Sequence, residues 1–136
     1  VAKLDSRIVL LGNDSSTPIW VHIPDDYNFH NDMALSESGK FVAVSTIYYD
    51  EDDGYVHGVN FYGLNSNIPL WSYSFGEFKP QSLGISADGN YFAVGTYDST
   101  GQGPYEDRTY LFSKDSSTPL WYHTIDDDAQ NPIYAV

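Results

Sequence analysis

The densest candidate chemistry in the chain is a run of carboxylates, Asp50-Glu51-Asp52-Asp53-Gly54. Alternating oxygen ligands that end on a glycine suit a hard divalent cation, because the ligands must wrap the ion and glycine permits the bend. Asp50, Asp52 and Asp53 are the candidate calcium ligands on this pattern. The later carboxylate that closes such a loop is missing, and Val56-His57-Gly58 follows instead, so a solvated acidic loop is the competing reading. Acidic groups recur at Asp25-Asp26 and Asp126-Asp127-Asp128, where they read as surface turns. Of the histidines, His22 and His123 each stand two residues after a tryptophan, with Tyr73 at the matching place between them, while His30 and His57 stand alone. Matching positions on successive repeats do not converge on one metal ion. Gly101-Gln102-Gly103, within the loop from Ser99 to Arg108, lacks the lysine and helix that a phosphate-binding loop needs. No Ser/His/Asp arrangement stands out from background, so no catalytic residue is nominated, and no cofactor beyond calcium is expected.

These groups sit in a chain of 136 residues, long enough for one domain core and too short for two. Its 41% hydrophobic content, with 12 Tyr, 7 Phe and 3 Trp, is that of a folded protein, since disordered chains are poor in aromatics. Six basic against 19 acidic residues give a formal net charge of −13, which repels phosphate backbones and anionic headgroups and argues against nucleic-acid or membrane-surface binding. There is no cysteine, so disulfides, thiolate metal sites and cysteine nucleophiles are excluded. No apolar run approaches the roughly 20 residues that span a bilayer, and no membrane insertion is expected. The first residue is Val1 rather than Met, which leaves the natural N-terminus open. Asn13-Asp14-Ser15 fits the N-glycosylation pattern, a triplet that also arises readily by chance.

An internal repeat organises the rest. Pro18-Ile19-Trp20, Pro69-Leu70-Trp71 and Pro119-Leu120-Trp121 place Trp20, Trp71 and Trp121 at spacings of 51 and 50. The match extends upstream through Asp14-Ser15-Ser16-Thr17 and Asp115-Ser116-Ser117-Thr118, with Asn65-Ser66-Asn67-Ile68 in the middle copy. A second block, Ser36 to Thr46, matches Ser86 to Thr96 at an offset of 50. Two separate blocks sharing one period make the period real.

Within one period the pattern is strand and turn. Leu83, Ile85 and Ala87 alternate with Gly84 and Ser86, as a half-buried strand does. Ala87-Asp88-Gly89-Asn90 has hairpin chemistry, Tyr91 to Thr96 is a compact apolar strand, Thr109 to Ser113 a third and Leu120 to Ile125 a fourth. No segment with a 3.6-residue period is long enough for a helix. Four short antiparallel strands per repeat of about 50 residues predict an all-β fold built of β-propeller blades. The tryptophan motif reads as structural. Asp14, Asn65 and Asp115, six residues before each Trp, are expected to bond turn backbone; Pro18, Pro69 and Pro119 set φ ahead of the outer strand; and each indole is expected to pack on the neighbouring blade.

Ala87-Asp88-Gly89, then Gly95-Thr96-Tyr97-Asp98, Tyr110-Leu111-Phe112 and Pro119-Leu120-Trp121 resemble the repeats of quinoprotein-like propellers, of the pyrroloquinoline-quinone type and the related tryptophan–aspartate type. Archaeal and bacterial surface proteins carry such repeats. The resemblance covers essentially the whole chain, and departs from the family at the turn before the Trp, where Ser116-Ser117-Thr118-Pro119 stands in place of the usual Thr-Gly. It implies blade architecture and says little of function, since most such repeats hold no quinone.

Aligning the copies predicts a partial blade at residues 1–25, complete blades at 31–75 and 81–125, and the first strand of a further blade at 131–136. Blade faces are apolar and need neighbours, so the expected partners are further blades of the same protein or an oligomer that completes the ring. The function this suggests is a non-catalytic binding or scaffolding module of a secreted or cell-surface protein, with a protein or glycan ligand met by loops such as Ile47 to His57 and Ser99 to Arg108. The alternatives are a piece of a quinoprotein-type dehydrogenase or propeller hydrolase whose active residues lie on other blades, and a cytoplasmic repeat protein.

Overall fold

The computed structural model describes residues 2–4, 7–23, 32–52, 54–100 and 105–127. The predicted strand at 131–136, together with His30, Asp53 and the Asp25-Asp26 pair, lies outside the described residues. Among the described residues every regular element is a β-strand: β1 (Ala2–Leu4), β2 (Arg7–Leu11), β3 (Pro18–His22), β4 (Met33–Leu35), β5 (Phe41–Asp50), β6 (Gly54–Gly63), β7 (Trp71–Gly76), β8 (Phe78–Ile85), β9 (Tyr91–Asp98), β10 (Tyr105–Ser113) and β11 (Trp121–Asp127). They form three antiparallel meanders, ordered β1-β2-β3, β4-β5-β6-β7 and β8-β9-β10-β11. The all-β, antiparallel class expected from the alternation is the class observed. The strands run longer than the apolar patterns alone indicate. The third strand of the last sheet begins at Tyr105 rather than Thr109, so only residues 99–104 separate β9 from β10.

The hairpins at the start of the second and third sheets are built alike. In one, the Phe41 N–H donates to the Ser36 hydroxyl at 3.1 Å and the Gly39 N–H to the Ser36 carbonyl at 2.9 Å. In the other, Tyr91 donates to Ser86 Oγ at 3.0 Å and Gly89 to the Ser86 carbonyl at 2.8 Å. Gly39 and Gly89 take φ of 70° and 77°, a conformation that costs glycine nothing and other residues strain. The serine hydroxyl supplies the acceptor that an amide at the end of a tight turn lacks.

Burial follows from the period-2 alternation of strand side chains. Ile8, Leu10 and Trp20 of the first sheet meet Val42, Val44 and Tyr62 of the second. On the other face of the second sheet, Ala43, Val59, Phe61 and Phe75 meet Phe92, Val94, Tyr110 and Phe112 of the third. The second contact is dense in aromatics: Phe61 stacks on Trp71 at 5.0 Å, and Trp71 on Phe112 at 5.4 Å. Pro80 is fully buried inside β8, which a strand tolerates because the register shifts between Pro80 and Ser82, where a proline takes no ladder bond.

Candidate functional site

The tryptophan motif joins one sheet to the next. The Trp20 indole N–H donates to the Leu64 carbonyl at 2.9 Å, and the Trp71 indole donates to the Lys114 carbonyl at 2.9 Å. Leu64 and Lys114 hold equivalent places, each seven residues before the tryptophan of its own sheet. Each indole thus buries its ring on the following sheet and satisfies its one donor on that sheet's turn. Trp121 departs from this. It is 49% exposed against 9% for Trp20, because no described sheet lies against its ring.

The turns before the tryptophans are closed by a different residue from the one expected. Thr17, Ile68 and Thr118 donate their N–H groups to the hydroxyls of Ser15, Ser66 and Ser116, each at 3.0 Å. These serines follow Asp14, Asn65 and Asp115, and Asp115 instead pairs with Lys114 Nζ at 2.6 Å. A serine oxygen reaches the amide two residues on through a short side chain, and this local bond takes the place assigned to the acid or amide. Pro18 opens β3, while Pro69 and Pro119 lie two residues ahead of β7 and β11.

At the acidic run, Asp50 ends β5 and its Oδ1 accepts the Asp52 N–H at 2.9 Å, a self-closed turn. Among the described residues no three His, Cys, Asp or Glu side chains stand close enough to hold a metal ion together. Asn13, Asp14 and Ser15 are exposed.

The histidines separate by environment. His22 Nδ1 lies 3.1 Å from the Asn67 carbonyl, with its ring 5.6 Å from that of Tyr62, which ties it to the sheet-to-sheet contact. His123 holds the same place in the last sheet and is exposed. His57 is buried, and burial followed by the charge of Lys79 holds its pKa below the ordinary imidazole value. Its Nε2 lies 3.4 Å from Ser99 Oγ, a pairing across 42 positions that no spacing rule could reveal. The polarity is opposite to that of a nucleophilic serine. Ser99 Oγ donates its proton to the Glu77 carbonyl, so its oxygen is left to accept from Nε2–H, and among the described residues Nδ1 has no partner. A serine nucleophile needs its proton directed at the imidazole and an acid behind the ring. This pair is a structural contact between a buried imidazole and an exposed serine.

The feature best placed to meet a partner is the hairpin of β5 and β6. Among the described residues its tip, Tyr48 to Asp52 and Gly54 to Val56, pairs only within the hairpin, because the β7 register ends at His57 and the β4 register at Val44. Three tyrosines stand exposed there, Tyr48, Tyr49 and Tyr55, and the rings of Tyr49 and Tyr55 meet edge to face at 5.4 Å. Below them a groove of about 320 Å³ is lined by Tyr48, Tyr55, Val56, Ser74, Gly76 and Glu77. Tyrosine offers an apolar face and a hydroxyl together, with few torsions to fix on binding. The hairpin tip lies within the expected Ile47–His57 segment, and Tyr48 and Tyr55 rather than Asp50, Glu51 and Asp52 line the groove.

Fold and geometry define an all-β chain of consecutive antiparallel sheets packed face to face. No protein-family model matches the sequence, and no curated protein matches it.

Proposed function

We propose that the chain is a run of quinoprotein-like β-propeller blades that serves as a non-catalytic binding or scaffolding module of a secreted or cell-surface protein. The blade reading is supported by the 50-residue period, by consecutive meanders stacked face to face, and by the indole that crosses from one sheet to the turn of the next. The binding role rests on one observation, the exposed Tyr48 and Tyr55 over a groove on a hairpin that extends beyond its sheet. Exposed tyrosine with Glu77 in the lining of one groove suits a glycan, whose C–H faces stack on rings and whose hydroxyls donate to carboxylate, or a protein surface with basic and apolar groups.

A glycan array probed with the chain and with the Tyr48→Ala/Tyr55→Ala double variant tests the binding role, with chemical cross-linking to candidate surface proteins alongside. Ligands held by the parent chain and lost by the variant are the expected result. Dye-linked turnover of an alcohol or sugar with added pyrroloquinoline quinone would remove the non-catalytic reading.

A further inference from the structure

The two outer faces of the stack are unlike ordinary protein surface, and they match each other. On the outer face of the third sheet stand Tyr91, Trp121 and Ile125, all exposed. Their equivalents one repeat earlier are Phe41, Trp71 and Phe75, which pack into the core between the second and third sheets. A recess of about 290 Å³ opens on the same face beside Tyr91, Ala93 and Leu111. The matching residues of the second sheet, Phe41, Ala43 and Phe61, meet Phe92 and its neighbours of the third.

At the other end of the stack, Leu11 of the first sheet is 39% exposed. Tyr62 and Phe112 hold that place in the second and third sheets, and both are 0% exposed, covered by the sheet before them. Trp20 lies 5.7 Å from the Tyr62 ring, and Trp71 5.4 Å from that of Phe112. The carbonyls that receive the indoles belong to Leu64 and Lys114, and the residue at the same place in the first sheet is Asn13. One end therefore offers an unused tryptophan donor and ring. The other offers Leu11 and Asn13, at the repeat positions on which that ring and donor sit twice within the chain.

We infer that the outer face of the third sheet docks on the outer face of the first sheet of a second copy of this chain, with Trp121 stacked on Leu11 and its indole N–H directed at the Asn13 carbonyl. The contact continues an interface that the chain already makes twice. It is heterologous, using different patches on the two copies, so it propagates head to tail into a ring or an open filament. Each copy carries a formal charge of −13, which opposes association, so assembly strengthens as salt screens the repulsion. The face is separate from the groove under Tyr48 and Tyr55, so failure of assembly and failure of ligand binding are read by different variants.

Sedimentation velocity of the full chain from about 1 µM to about 1 mM, at low and at high salt, tests the contact. The expected result is a mass of at least twice the 15.2 kDa of one chain, rising with concentration and with salt. Trp121→Ala and Leu11→Lys, each with an unchanged far-ultraviolet circular dichroism spectrum, are each expected to sediment as a single chain. Mixed together they retain one intact face apiece and are expected to give a dimer that grows no further. A single-chain mass for the parent at every concentration overturns the inference. So does association that survives Leu11→Lys, which would mean that like faces meet, and so does a mixture of the two variants that stays monomeric.

Discussion

Replacing Trp71 by phenylalanine isolates the bond that joins two sheets. The ring stack on Phe61 and Phe112 can persist, while the donor to the Lys114 carbonyl, 2.9 Å away, is lost. A typical hydrogen bond contributes about 0.5–1.5 kcal/mol net, and stranding a buried partner costs about 1–3 kcal/mol. The carbonyl here is part-buried, so the expected loss is about 1–1.5 kcal/mol, from the overlap of those ranges. Trp71→Ala removes the ring as well and is expected to cost about 3–5 kcal/mol, as for other large-to-small changes in a core. Urea unfolding followed by circular dichroism reads both as a lower midpoint at constant slope. Trp121→Phe is the control, measured at dilutions where the chain is a monomer. The same substitution at the equivalent place, with the ring half exposed, is expected to change stability by less than about 0.5 kcal/mol. Equal losses at Trp71 and Trp121, or no loss at Trp71, would refute the sheet-to-sheet role of the indole bond.

Three further outcomes follow from the geometry. Gly39→Ala and Gly89→Ala share a positive φ, and each is expected to lose about 1–2 kcal/mol from that strain. At Gly89 the new methyl would also stand 2.2 Å from Phe41 Cδ2, whereas nothing lies within 4 Å at Gly39, so the Gly89 variant should melt lower in calorimetry by a further ~1–3 kcal/mol. Because burial and Lys79 lower the His57 pKa in the fold, the unfolded chain takes up this proton first as pH falls. The stability His57 contributes is therefore present above its unfolded value of 6.5 and lost as pH drops from there through the lowered folded value. His57→Leu should flatten that part of the pH dependence of the urea midpoint and leave the rest unchanged. On the solvated-loop reading of the acidic run, about 5 mM calcium is expected to leave the melting temperature unchanged, while a clear upward shift would establish a cation site.

The strand-and-turn class was legible because Leu83, Gly84, Ile85 and Ser86 alternate as strand side chains do, and because the short apolar run from Tyr91 to Thr96 follows turn residues; the strand itself ends at Ile85, with Ala87 in the turn. The turn chemistry was legible in kind and misassigned in residue. Aspartate, asparagine and serine all bond nearby amides, and only the backbone path decides that Ser15, Ser66 and Ser116 close the turns rather than Asp14, Asn65 and Asp115. The His57–Ser99 pair and the groove under Tyr48 and Tyr55 have no signature along the chain. They arise from strands brought side by side and from a hairpin that outruns its neighbours.

The tryptophans mark the boundary most sharply. The period, the strand character and the place of Trp20, Trp71 and Trp121 within each repeat are properties of local residue order and are read from it directly. Three copies of one Pro-x-Trp motif nevertheless end in different surroundings, two of them docked on the next sheet and Trp121 half exposed. That difference belongs to the tertiary structure alone, since a ring is buried by whatever sheet lies against it and the motif carries no record of its neighbour.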